Sequence, residues 1–240
     1  MKYKRILLKL SGEALSGKDN ILDPVFLKET GENIKKCMDE GMQIAVVCGA
    51  GNIWRGGRQH GHNIDRVRGD HMGMMGTMIN SLAIQDAIIK AGAKCVVMSA
   101  VPMTQICEVY SQYKAIEHLE NGTAVVLACG TGYPFFTTDT GALLRAAEIK
   151  ADVAMFAKNI DGIYDKDPAK YPDAVKYDRI TYAEMLEKDL HAIDTAAGAL
   201  GRENDLKVLM FRLDKPENIY TAATDETVAW RQNYGRQIGC

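Results

Sequence analysis

Gln43-Ile44-Ala45-Val46-Val47-Cys48-Gly49-Ala50-Gly51 decides the fold: an apolar run with no polar alternation that stops abruptly in a loop of small residues. Such a run suits a strand buried on both faces of a parallel sheet. The pattern recurs at Arg5–Leu10, Lys94–Ser99, Ala124–Cys129, Val153–Ala157 and Lys207–Phe211. Helical patterns fall between the runs, near Pro24–Glu40, Asp70–Ala91, Ser111–Asn121, Thr138–Ile149 and Thr195–Asn204. Asp23 before Pro24 supplies an N-cap and a first-turn proline, Gly41 a stop, and Thr181-Tyr182-Ala183-Glu184 a capping box for one further helix. The alternation predicts an α/β fold, a three-layer αβα sandwich around a mainly parallel sheet, as one domain over residues 1–240.

The 240 residues are 47% hydrophobic and 25% charged, a globular balance that excludes a disordered chain, a collagen-like repeat and a coiled-coil rod. Twenty-nine basic against 31 acidic side chains give a net charge of −2, so no global basic field points to nucleic acid. No stretch approaches the ~18–20 apolar residues of a membrane span, and MKYKRILLKLSGEAL reads as a mature start with no signal peptide. Neither a membrane nor a nucleic acid is an expected partner. Cys37, Cys48, Cys95, Cys107, Cys129 and Cys240 are scattered without a CxxC pair, several within apolar runs, and read as reduced thiols in a cytoplasm.

In open parallel sheets ligands bind beyond the carboxyl ends of the strands, so the loops there carry the function. Lys9-Leu10-Ser11-Gly12-Glu13-Ala14 ends the first strand with an ammonium and several backbone N–H groups suited to phosphate oxygens, or simply with a tight turn. Cys48-Gly49-Ala50-Gly51-Asn52-Ile53-Trp54-Arg55 ends the second, where glycines permit close approach to an anion and Arg55 offers a guanidinium fork. Trp54 stands where a dinucleotide-binding fingerprint needs glycine, which disfavours a dehydrogenase. Arg55, Arg58, Arg66 and Arg68 with His60, His62 and His71 make a basic stretch, read as a flap over a phosphorylated substrate rather than a metal site. Met72, Met74, Met75 and Met78 follow as adaptable core or subunit contact.

Cys129-Gly130-Thr131-Gly132-Tyr133-Pro134-Phe135-Phe136-Thr137-Thr138-Asp139 is the richest loop, joining glycines, aromatic faces and hydroxyls to a helix N-terminus. It suits a planar base, a sugar and a phosphate held together. Asp139 falls in the first helical turn, where a carboxylate is also an ordinary stabiliser. After the fifth run, Lys158, Asn159, Tyr164, Asp165 and Asp167 offer further polar groups around a hairpin-type Asp161-Gly162 turn.

In this order, YKRILLKLSGEAL, GAGNIWRG, GDHMGM, GTGYPFFTTD and DGIYDKDP closely resemble bacterial-type uridylate kinases of the amino acid kinase superfamily, over about Lys4 to Arg212. The resemblance implies Mg²⁺-dependent, reversible transfer of the ATP γ-phosphoryl to UMP, in pyrimidine nucleotide supply, by a homohexamer. It assigns Lys9, Leu10, Ser11, Gly12, Gly51, Arg55, Asn159, Tyr164 and Asp167 to ATP. It assigns Ala50, Asp70, Thr131, Gly132, Tyr133, Pro134, Phe135, Phe136, Thr137 and Thr138 to UMP. Lys9, Arg55 and Lys158 are the expected cations on the transferred group, Asp139 their organiser or that of Mg²⁺, and Asp194 an orienting residue. No protein metal site is expected beyond Mg²⁺ carried with ATP. Two departures stand out. The glycine-rich insert linked to GTP activation in some members is missing at Ser16–Leu22, and Ala50 replaces the middle glycine of a GGGN run. Alternatives are another phosphotransferase of the superfamily or a non-catalytic nucleotide- or oxyanion-binding protein on the same fold.

Overall fold

A computed structural model describes residues 3–54, 63–177, 179–190, 192–225 and 230–232. Among the described residues nine strands form one sheet: β1 (Arg5–Leu10), β2 (Gln43–Cys48), β3 (Cys95–Ser99), β4 (Glu108–Val109), β5 (Ala124–Ala128), β6 (Val153–Lys158), β7 (Arg179–Ile180), β8 (Val208–Arg212) and β9 (Trp230–Gln232). The order is β4-β3-β5-β2-β1-β6-β8-β9-β7, and every pairing is parallel except β8 with β9. Seven α-helices complete the described fold: α1 (Pro24–Asp39), α2 (Arg66–Lys90), α3 (Gln112–Glu120), α4 (Thr138–Glu148), α5 (Tyr182–Glu187), α6 (Thr195–Glu203) and α7 (Glu217–Thr224). No helix among the described residues is long and apolar enough to cross a membrane.

The strands bury both faces, as their unbroken apolar character requires. Ile6, Leu8, Leu10, Ile44 and Val46 pack into one core with Ile34 and Cys37 of α1, Met78 and Ile84 of α2 and Ile219 of α7. Leu7, Ala45, Val47, Ala154 and Phe156 pack into the other with Ala115 and Leu119 of α3, Leu143 and Ala146 of α4 and Ala197 of α6. The side-chain period of two therefore sends alternate residues of β1 to opposite helical layers.

The six apolar runs are the six long strands, with ends shifted by at most one residue. β4, β7 and β9, each two or three residues long, went unread because so few residues carry no periodic signal, and the eight-residue α7 was also missed. α2 begins at Arg66, four residues before the expected Asp70, because Asp65 caps it by accepting the Arg68 N–H at 3.2 Å. The expected hairpin at Asp161-Gly162 is absent. The chain leaves β6 through bends, and its next pairing is a single antiparallel bridge, Tyr164 to Lys176. The Asp161 carboxylate secures that path by accepting from the Tyr164 hydroxyl and from Lys176 Nζ, both at 2.8 Å.

β5, β2, β1 and β6 are neighbours, so the loops after them meet at one end of the sheet. The first two loops after β1 and β2 touch without a gap: a Cβ on Gly12 would stand 2.5 Å from the Gly51 nitrogen and 2.7 Å from the Gly49 carbonyl oxygen. Gly12→Ala is therefore expected to push the loops apart, lowering stability by about 1–3 kcal/mol, as overpacking does. A thermal midpoint equal to the parent's would show that the contact yields freely.

Candidate active site

Strand register builds the centre of the site. Lys9 on β1 pairs with Phe156 on β6, and Lys158 lies two residues further along β6, so both lysines face the α4 layer. There they meet Asp139, in the first turn of α4. Lys9 Nζ lies 2.8 Å from Asp139 Oδ1, and Lys158 Nζ lies 2.8 Å from Oδ2. The three side chains retain only 8%, 19% and 15% exposure for Lys9, Lys158 and Asp139. Beneath them is the Phe156 ring, its centroid 5.9 Å from Lys9 Nζ and 5.6 Å from Lys158 Nζ, within cation–π range.

Burial opposes ionisation of Asp139, but the two ammonium groups outweigh it and hold the carboxyl below the ordinary aspartate value. That stabilisation is full at neutral pH and is lost as pH falls through the lowered folded pKa. Burial, together with the charge of Lys9, pushes Lys158 below the ordinary 10.5, against the pull of Asp139 and Asp194. The cluster carries two cations against one anion beside the positive end of a helix, an arrangement that attracts a further anion.

Thr137 caps α4, its hydroxyl oxygen accepting the N–H groups of Asp139 at 3.1 Å and Thr140 at 3.3 Å. The Thr137 hydroxyl donates to Asp194, and Thr140 Oγ1 donates to the same carboxylate at 2.9 Å. Asp194 also caps α6 by accepting the Ala197 N–H at 2.9 Å. One carboxylate thus ties the start of α4 to the start of α6.

A cleft of about 620 Å³ opens above this cluster. Of the expected site residues, Lys9, Gly51, Asp139 and Asp194 line it together with Ala50, Asp70, Thr131, Tyr133, Phe136, Thr137 and Thr138. Gly132 instead lines an adjoining, more apolar cleft of about 780 Å³, between α2 and the loop after β3. That space is larger but holds none of the three central charges. Phe135 turns away from the charged cleft. At a φ of 72° it gives its N–H to Asp70 Oδ2 at 2.8 Å, and its ring lies 5.4 Å from the Arg66 guanidinium. Pro134 stands half-buried between these turns, outside both linings.

Leu10 sends its side chain into the core, leaving only its backbone to the loop. The Ser11 oxygen caps the short 3₁₀ turn Gly12–Leu15 by accepting from the Ala14 N–H at 3.3 Å. Lys158 lines no part of the cleft directly and reaches it through Asp139. Asn159, Tyr164 and Asp167 stand on the segment leaving β6, outside the cleft lining, where Asp167 Oδ1 accepts the Ala169 N–H at 3.0 Å. Arg55, Arg58, His60 and His62 of the expected basic flap lie outside the described residues, whereas Arg66, Arg68 and His71 stand on the first turns of α2. Met74 and Met78 are core, whereas Met72 and Met75 are exposed. Ala50 fits because its methyl meets Gly76 of α2, where a Cβ would lie only 2.8 Å away.

The sequence reading missed the polar residues of α2 that hold the loops. Asn80 Nδ2 donates to the Gly49 carbonyl at 2.7 Å and exchanges amide bonds with Asn52. Thr77 Oγ1 accepts the Cys129 N–H at 2.9 Å. Polar residues at helical spacing on an otherwise apolar face were the available signal. Five cysteines are free in the described residues, and burial raises Cys37 to about 12 and Cys48 to about 11, far from thiolate chemistry. Among the described residues no group of three or more His, Cys, Asp or Glu side chains could hold a metal.

A buried pair of lysines at parallel strand ends, beside a helix N-terminus and without a Walker loop, defines a class of phosphate-handling α/β proteins distinct from P-loop enzymes. Residues 4–211 match the Amino acid kinase family, and the chain belongs to that family, in its uridylate kinase branch. A uridylate kinase of Xanthomonas oryzae pv. oryzae is 49% identical over 240 residues, 100% of this chain and 96% of that protein. The crystal structure of a UMP kinase from Ureaplasma parvum matches with a TM-score of 0.92 at 33% identity, covering 98% of this chain and all of that one. A UMP kinase from Bacillus anthracis matches with a TM-score of 0.89 at 32% identity, over 96% and 94% of the two chains.

Removing the shared carboxylate leaves two buried ammonium groups uncompensated. Asp139→Asn should lower stability by about 3 kcal/mol or more, and turnover by roughly 100-fold or more. Parental turnover in the variant would deny Asp139 its organising role. Because Lys158 titrates below 10.5, kcat/KM for ATP should decline on the alkaline side before that pH. Lys158→Arg, permanently charged, should move that decline upward. A decline at the same pH in the variant would assign it to another group.

Proposed function

We propose that the chain catalyses the reversible transfer of the γ-phosphoryl group of ATP to UMP, giving ADP and UDP, within a single domain over residues 1–240. The observation that carries this reading is the Lys9–Asp139–Lys158 cluster at the floor of a cleft walled by the Thr131–Thr138 loop. Its support is 49% identity to a uridylate kinase over the whole chain.

Phosphoryl transfer needs in-line positioning and cancellation of spreading charge, with little covalent work for the protein. Lys9 and Lys158 meet the phosphates of ATP, with backbone N–H groups of Ser11, Gly12 and Gly51 lining their approach and Arg55 adding charge between the nucleotides. Asp139 keeps both ammonium groups aimed. It removes no proton, because the UMP phosphate is already ionised at neutral pH. Thr131, Thr138 and the N-terminus of α4 face the acceptor phosphate, and Asp70 and the Tyr133–Phe136 segment face its sugar and base. Asn159, Tyr164 and Asp167 take the adenosine end.

The carboxylates lining the cleft are Asp70, paired with Arg66, Asp139, bound to two lysines, and Asp194, whose bonded partners are two hydroxyls and one N–H. That set suits Mg²⁺ carried largely by substrate phosphates rather than by a protein cage. Mg²⁺ bound with the substrate phosphates would supply charge neutralisation, with Asp194 the carboxylate that would hold it. Family resemblance supports a homohexamer, and the free, protonated thiols suit a reducing cytoplasm.

With Mg²⁺ and ATP, ADP release measured against UMP, CMP, dUMP, GMP, acetylglutamate and aspartate should occur with UMP, and should cease when EDTA removes the metal. Turnover with a carboxylate in place of UMP would transfer the chain to another branch of the family. Tight UMP binding with no turnover would make it a nucleotide-binding protein.

A further inference from the structure

The loop that walls the acceptor side is strained where it leaves β5. Cys129, Gly130 and Gly132 take φ values of 65°, 56° and 82°, so three of four consecutive residues are left-handed. Cys129, which is not glycine, persists there only because its surroundings hold it. From the α2 side, Thr77 takes the Cys129 N–H. From the α4 side, Gly141 lets the helix approach so closely that a Cβ there would stand 3.2 Å from the Gly130 Cα.

One turn along the same face of α4, Arg145 leans back toward the helix N-terminus, as helical side chains do. Its Nη2 donates to the Gly130 carbonyl at 3.0 Å. The residue is only 5% exposed and lines neither cleft. Glu148 balances its charge at 2.6 Å through Nη1, and the Tyr110 ring lies 3.9 Å from the guanidinium carbon. The Tyr110 hydroxyl donates to the same Glu148 oxygen at 2.6 Å, and its N–H is fixed to the Ser99 carbonyl at the end of β3. A buried ion pair of this kind is weak as a source of stability, since apolar replacements of similar volume often serve as well. What only the guanidinium provides here is a rigid donor that grips one loop carbonyl while remaining neutralised.

We infer that Arg145, set by Glu148 and Tyr110, is a positioning residue that fixes the acceptor-binding loop through the Gly130 carbonyl. The inference rests on the phosphoryl-transfer reading above and deepens it. Arg145 touches no substrate, and the loop it holds carries Thr131 and Tyr133 but neither Lys9 nor Lys158. Its loss is therefore felt by the acceptor and not by ATP.

Arg145→Lys keeps a positive charge beside Glu148 but cannot span both partners. It should raise the KM for UMP about tenfold or more, the effect of losing one hydrogen bond from a charged donor, with the KM for ATP within about twofold of the parent. Tyr110→Phe, which removes only the hydroxyl bond to Glu148, should shift the same constant in the same direction by less. If Arg145→Lys does not fold, the paired Arg145→Met, Glu148→Met variant removes both charges together and should show the same acceptor-selective rise. Unchanged constants in a folded variant, or equal rises for both substrates, would overturn the inference. Failure of the UMP reading would appear in the parent enzyme as turnover with a different acceptor. The same comparison made with that acceptor then tests Arg145 on its own.

Discussion

Two ammonium groups sharing one buried carboxylate constrain everything else at this end of the sheet. Lys9 and Lys158 stand on adjacent parallel strands, and without Asp139 their like charges would oppose each other at low exposure. Asp139 must arrive from the helical layer the lysines face, which requires α4 to start where β1 and β6 end. Thr137 caps that start, and Asp194 fastens the cap to α6. The chain from strand register to helix cap leaves the cluster one positive charge in excess, facing the cleft. Charges fixed in this way need no rearrangement to meet an anion, which is the preorganisation that favours a developing negative charge.

The wall of the cleft obeys a different constraint. Glycines at 12 and 49 let two loops touch backbone to backbone, and Asn80 supplies the amide that a buried Gly49 carbonyl requires. The glycines read from the sequence as anion-binding flexibility are thus also packing positions. Asp70 shows a similar double use. It lines the cleft, as expected of an acceptor contact, yet it also holds the Phe135 N–H and pairs with Arg66 at 2.8 Å. A carboxylate so placed links the first turns of α2 to the strained aromatic segment.

Most of the sheet was legible because its long strands are unbroken apolar runs, and a strand buried on both faces leaves no other pattern. Lys9 stood out as a lysine at the end of such a run, read as a phosphate ligand or as part of a tight turn, and its pairing with Asp139 is visible only in the structure. That Asp139 would organise the lysines was an expectation beside the resemblance, and taken alone it read more readily as an ordinary first-turn carboxylate. Geometry separates the two, since both carboxylate oxygens are taken by lysines from other elements. Short edge strands were not legible, for two residues carry no period. The α2 and α4 residues that hold the loops were also missed, because a single Thr, Asn or Arg within a helix looks like solvent-facing polarity until the partner is known.

Those helices carry two messages in one sequence. Their apolar positions pack against the sheet and give the rigid frame, while isolated polar residues on the same faces meet strained backbone in the loops. Thr77 holds Cys129, Arg145 holds Gly130 and Asp70 holds Phe135, three contacts at or beside left-handed residues. Left-handed non-glycine backbone costs on the order of 1–3 kcal/mol at each position, so it survives only where such partners over-determine it. A buried polar group on a helix is costly unless satisfied, and here the backbone of the acceptor loop satisfies it. Each cost is offset by the other. The strained loop and the buried polar residues of the helices are therefore one device, and substitution on either side should be read through its effect on the loop.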